Sequence, residues 1–105
     1  MLTLCIRYTF NAEKISAFKT YVEAEQQPIS RSGGRRIEYF LPTDYAGPTN
    51  EAMGIIDFPT LAEYERYRTA LANDPDHKRN FAQLEKSGAN VTMSRSIIQR
   101  IPDVG

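Results

Sequence analysis

Two adjacent glycines, Gly33 and Gly34, separate a helical pattern from a strand pattern, and this junction restricts the possible folds more than any other stretch. Ahead of it, Ile15, Phe18, Val22 and Ile29 fall on one narrow arc at helical spacing, with Tyr21 at the edge. Behind it, Ile37–Leu41 has strand composition and is stopped by Pro42, which has no N–H to extend a ladder. A glycine in this position supplies the left-handed backbone that ends a helix without a Cβ penalty. Pro28 is predicted to kink or interrupt the helix one turn earlier.

The rest of the chain falls into place around this junction. Leu2, Leu4, Ile6, Tyr8 and Phe10 alternate with Thr3, Cys5, Arg7 and Thr9, the period-two pattern of a half-buried strand. Asn11 suits the N-cap of the helix that follows. A loop over Thr43–Glu51, with Asp44, Gly47-Pro48 and Asn50 as turn residues, leads to a third strand at Ala52–Phe58. The second and third strands are predicted to form a hairpin with a long, mobile tip. Thr60 and Glu63 have the spacing of a capping box, opening a helix whose apolar arc is Leu61, Tyr64, Tyr67 and Leu71. Asn73-Asp74-Pro75 ends that helix and caps another, which buries Phe81 and Leu84 and closes at Gly88. Val91, Met93, Ile97 and Ile101 alternate as a fourth strand before Pro102. The predicted order is β-α-β-β-α-α-β, an α+β, ferredoxin-like arrangement with helices on one face of an antiparallel sheet. It forms a single domain over residues 2–101, with a frayed tail at 102–105.

Composition excludes several function classes. Thirteen basic and thirteen acidic residues cancel, which argues against a nucleic-acid or anionic-membrane partner held by bulk charge. The local run Arg31, Arg35, Arg36 reads as a solvated helix-to-strand turn. One cysteine, Cys5, cannot form an internal bridge and suits a reducing compartment. The first residues read as a strand rather than a leader, no stretch has membrane-spanning length, and a cytoplasmic location is expected.

Ile6-Arg7-Tyr8, the Gly33-Gly34 turn with Tyr39-Phe40, Phe58-Pro59-Thr60-Leu61 with Tyr64 and Tyr67, and Asn73-Asp74-Pro75 with Phe81 together resemble the NIPSNAP family. The resemblance runs from about Leu2 to Ile101 and departs from the family in the absence of Trp. It implies membership of the dimeric α/β-barrel superfamily, in which two sheets pair face to face in a homodimer. It implies little chemistry: relatives by superfamily include cofactor-independent monooxygenases, small isomerases and haem enzymes. The mixed second face of the sheet, Thr3, Cys5, Arg7 and Thr9, is consistent with either solvent or a second copy as its cover.

Familiar catalytic signatures are missing from the sequence. No Cys/His cluster has zinc spacing, the glycine pair lacks the spacing and lysine of a phosphate loop, and Cys5 has no base partner beside it. No metal or cofactor is expected. What stands out is one ionisable residue on each of four apolar faces. Glu25 lies within the first helix's arc, Arg68 between Leu61 and Tyr64, His77 beside Phe81 and Leu84, and Arg95 among Val91, Met93 and Ile97. Each needs a partner or water, because burying a lone charge costs several kcal/mol. On the structural reading Glu25 pairs with Arg68 or reaches water, His77 completes the Asp74 cap, and Arg95 snorkels to the sheet rim or its strand takes the opposite register. On the functional reading the four face a cavity walled by Tyr39, Tyr64, Tyr67 and Phe81. There Arg68 or Arg95 holds an anionic or carbonyl oxygen, and His77 or Glu25 moves a proton. Three functions remain open: a small-molecule-binding dimer, a cofactor-independent oxygenase or isomerase, and a purely structural dimer.

Overall fold

The computed structural model describes residues 1–101, so the tail at 102–105 lies outside the described residues. Four strands, β1 (Leu2–Thr9), β2 (Arg35–Phe40), β3 (Glu51–Phe58) and β4 (Thr92–Ile98), form one sheet in the order β2-β3-β1-β4. Every neighbouring pair is antiparallel. Helices α1 (Ile15–Arg31), α2 (Leu61–Ala72) and α3 (Pro75–Lys86) cover one face. The chain thus has the ferredoxin-like α+β fold, and β2 and β3 form the expected hairpin.

Alternation in β1 decides which face the helices cover. Leu4, Ile6, Tyr8 and Phe10 are buried against Phe18, Tyr21, Val22 and Ile29 of α1, with Ile56 and Phe58 of β3 beside them. Phe10 stacks on Phe18 at 4.7 Å between ring centroids, and Tyr8 meets Phe18 edge-on at 5.0 Å. Asn11 does cap, but it caps a single 3-10 turn over Ala12–Lys14, accepting from the Glu13 N–H, before α1 begins.

The end of α1 follows the glycine argument and departs from the proline one. Gly33 has φ +118°, its N–H donates to the Ser30 carbonyl, and the Gly34 N–H donates to the Ile29 carbonyl at 2.9 Å. These are the two bonds of a Schellman ending. Pro28, however, does not interrupt the helix, which continues through it to Arg31. Proline forfeits one backbone bond there, while its ring is fully buried in the core. Gly34 is needed for space: a Cβ would stand 2.7 Å from the Ile29 Cγ2 and 2.8 Å from the Ile56 Cγ2.

Three further expectations are corrected. Thr60 accepts from the Glu63 N–H as a cap, but the Glu63 carboxylate turns to Arg66, so only half of the capping box forms. Leu61, assigned to the apolar arc of α2, is exposed, while Tyr64 on the same turn packs on Phe58 and Tyr67 is the buried member. At α3 the Asp74 side chain accepts from the N–H groups of Asp76 and His77, with Pro75 at the first helical position. The fourth strand stops at Ile98, and Ile101 lies beyond it, exposed.

Candidate functional site

A cavity of about 430 Å³ lies between the sheet and the helices and opens to solvent. Its floor comes from β1, β2 and β4 through Ile6, Tyr8, Tyr39 and Met93; its roof comes from α1, α2 and α3 through Tyr21, Tyr67 and Phe81. Glu25, Arg68, His77 and Arg95, the four ionisable residues picked out by their apolar positions, all line it. A smaller groove of about 160 Å³ between α1 and α3 has no charged residue in its wall.

Glu25 organises the chemistry. It is 1% exposed, held on the buried arc of α1 one turn after Tyr21. Its Oε2 lies 2.7 Å from His77 Nδ1 and accepts from the Tyr21 hydroxyl at 3.4 Å, while its Oε1 accepts from Asn80 Nδ2 at 3.1 Å. The buried carboxylate is thus fully partnered, as burial of a charged group demands. Its partner is His77, not Arg68. Helix α3 presents His77 and Asn80 one turn apart on the same side, so both reach the carboxylate together.

The two arginines are placed differently. Arg68 donates to the Tyr64 hydroxyl at 3.2 Å, and Arg95, exposed on β4, has only a long contact with the Met93 sulfur. Neither forms an ion pair among the described residues. Arg95 faces the helices, since Val91 and Met93 on the same side pack on the core, so β4 keeps its expected register and the exposed arginine lies in the cavity wall. Of the proposed walls, Tyr39, Tyr67 and Phe81 line the cavity and Tyr64 does not. Its ring instead meets Phe58 edge-on, with 5.4 Å between centroids, and it reaches the site through Arg68 and through its stacking on Tyr67 at 6.3 Å.

Desolvation by burial pushes the hydroxyls of Tyr8, Tyr21, Tyr39 and Tyr67 well above the usual phenol range, with neighbouring Glu25 adding to the effect at Tyr21. All four are neutral hydrogen-bonding groups at ordinary pH. The Tyr8 and Tyr39 hydroxyls lie 3.3 Å apart beneath the cavity. Sequence patterning marks Tyr8 and Tyr21 as core and gives no role to Asn80, although Asn80 follows His77 at helical spacing. Among the described residues, no group of three or more His, Cys, Asp or Glu side chains could hold a metal ion, and no helix is long and apolar enough to cross a membrane.

The fold has counterparts among solved structures. A protein of Agrobacterium tumefaciens superposes with a TM-score of 0.78 at 22% identity, over 96% of this chain and 94% of that one. An uncharacterised NIPSNAP domain protein of Burkholderia xenovorans gives 0.76 at 16% identity, over 99% and 96%. SnoaB, a cofactor-independent oxygenase from Streptomyces nogalater, gives 0.61 at 16% identity, over 98% and 95%. At such identities these likenesses concern the fold alone. No curated protein matches the sequence. The family model for NIPSNAP matches residues 3–103, nearly the full length, and the chain belongs to the NIPSNAP family.

Proposed function

We propose that this NIPSNAP domain binds a small anionic molecule in the cavity between sheet and helices, and works as a homodimer. The carrying observation is charge. Arg68 and Arg95 lack acidic partners among the described residues, and the only carboxylate in the wall, Glu25, is already engaged. Whether the Glu25–His77 pair is counted as neutral or as one net negative charge, the lining keeps a positive surplus. An anion entering past Tyr39, Tyr67 and Phe81 would supply the missing complement. A volume of about 430 Å³ suits a ligand of modest size and speaks against a purely structural dimer with a filled core. Cys5, buried and unpaired, suits a reducing cytoplasm.

The test is a thermal-shift and native mass-spectrometry screen of small aromatic and aliphatic carboxylates. Binding is expected for a subset and should weaken at least tenfold in Arg95→Met. Failure of every carboxylate to bind would overturn the reading. A second reading, a cofactor-independent oxygenase or isomerase, is favoured by one contact, the 2.7 Å approach of His77 to Glu25. SnoaB shows that a cofactor-independent oxygenase can be built on this fold.

A further inference from the structure

The arrangement around Glu25 has a chemical consequence beyond binding. Asn80 and Tyr21 donate to the carboxylate, and His77 Nδ1 approaches the same group at 2.7 Å. A carboxylate only accepts, so Nδ1 carries the hydrogen, and in its neutral form the ring has its lone pair at Nε2. Nε2 has no protein partner among the described residues, and the His77 side chain is 22% exposed along the cavity wall. The ring is therefore oriented at one nitrogen and vacant at the other. The arginines of the same cavity could receive a developing oxyanion.

We propose that Glu25 and His77 form a proton-transfer dyad that enolises a small carbonyl compound carrying a carboxylate, with His77 Nε2 as the base. The proposal rests on the anion-binding reading above. In the step, the C–H bond beside the carbonyl breaks and its proton goes to Nε2. The C–H electron pair forms the C=C bond, and the carbonyl π pair moves to oxygen as an enolate. The imidazolium is balanced by Glu25, and Arg68 or Arg95 faces the enolate or the carboxylate. Return of the same proton to oxygen, or to a different carbon where the substrate is unsaturated, completes a tautomerisation or double-bond shift. No oxidant or reductant is consumed. His77 is the catalytic residue, and Glu25 is a positioning residue that fixes its tautomer.

Phenylpyruvate is a suitable probe. Its carboxylate matches the arginines, its ring matches the tyrosine and phenylalanine walls, and its methylene is acidic. With intact protein in deuterated buffer, exchange of the methylene hydrogens is followed by NMR while binding is measured by calorimetry. Exchange should exceed that in buffer alone, and His77→Gln should lower its kcat by about 100-fold or more while the dissociation constant changes little. Added imidazole should restore exchange in His77→Ala, a rescue that a merely structural histidine would not show. Glu25→Gln should lower kcat as well; if that variant fails to fold, the His77 variants still decide the matter. Exchange no faster than in buffer overturns the dyad, and so does exchange unchanged in His77→Gln. The calorimetry then separates the two readings: if phenylpyruvate binds without exchanging, the cavity stands and only the dyad falls. If it does not bind, this anion class falls with it.

Discussion

A methyl group added at Gly34 would press on Ile29 and Ile56 side chains and lie 3.1 Å from the Ile29 carbonyl oxygen, which belongs to the helix-ending bond itself. At Gly33 the same methyl would meet nothing within 4 Å, but φ is +118°. Gly34→Ala should therefore cost about 1–3 kcal/mol through overpacking, and Gly33→Ala about 1–2 kcal/mol through backbone strain, both read from urea unfolding. Equality with wild type at both positions would mean the helix ends elsewhere. The glycine pair was legible because its cause is local. The partner of Glu25 was not, because His77 lies 52 positions away and helical spacing says which face a residue occupies, not which charge waits opposite it. Removing the carboxylate in Glu25→Ala strands three buried or half-buried donors and should cost about 3 kcal/mol. In a double-mutant cycle, Glu25→Gln should couple to His77→Phe and combine with Arg68→Met additively within about 0.5 kcal/mol. Strong coupling to Arg68 would mean that the arginine, not the imidazole, holds the carboxylate.

At the level of elements, the C-terminal turn of α1 is tied to the N-terminal turn of α3 by one arginine. Arg31 donates to Asp74 from Nε at 3.0 Å and to Asp76 from Nη2 at 2.9 Å. Arg31 read as solvated in the sequence because its acids lie 43 and 45 residues later. Some desolvation would raise the Asp74 carboxyl, but Arg31 and the His77 and Asp76 N–H groups hold it below the usual range; hydrogen bonds from Arg79 and Arg31 lower Asp76. A carboxylate with a lowered folded-state pKa contributes stability that is present above its unfolded value and lost as pH falls through the folded one. Acidification below about pH 4 should therefore destabilise the wild type more than Arg31→Met, as read by thermal melts between pH 6 and pH 3. Parallel losses in the two proteins would exclude the clamp. The same asymmetry between near and distant partners holds for the other elements. Caps such as Asp74 and Thr60 need only near neighbours, whereas the exposure of Leu61, the fate of the Glu63 side chain and the passage of α1 through Pro28 depend on what surrounds each helix.

At the scale of the molecule, the chain has the proportions of a slab. The chain spans 38 × 38 × 18 Å with a radius of gyration of 14.3 Å, wider than the value of about 13 Å for a closed globule of this length. Among the described residues, one side of that slab is sheet with no helix over it. By strand register its residues include Cys5, Met53, Ile55, Phe40 and Ile98, with Arg7, Glu38, Ser94 and Ser96 between them. Phe40 and Ile98 are nearly half exposed, at 47% and 45%. Asp57 ends this face, its Oδ1 accepting from Thr3 at 2.7 Å and its Oδ2 buried without a hydrogen-bond partner among the described residues, 3.6 Å from Arg100. Four strands of this length cover about 26 by 19 Å, or on the order of 500 Å² per copy. Two such faces packed together bury about 1,000 Å² or more, the lower bound for a stable interface. The barrel expected from the family resemblance would be closed by that contact, leaving the cavity on the helix side of each copy untouched. Sedimentation at micromolar concentration should show a species of twice 11.9 kDa. Ile55→Glu places a charge in the middle of the apolar patch and should shift the population to monomer while keeping the far-UV signal and carboxylate binding. A wild type that sediments only at 11.9 kDa would rule out the dimer. A variant that stays dimeric would move the interface off the sheet, to the helices or the long β2–β3 connection.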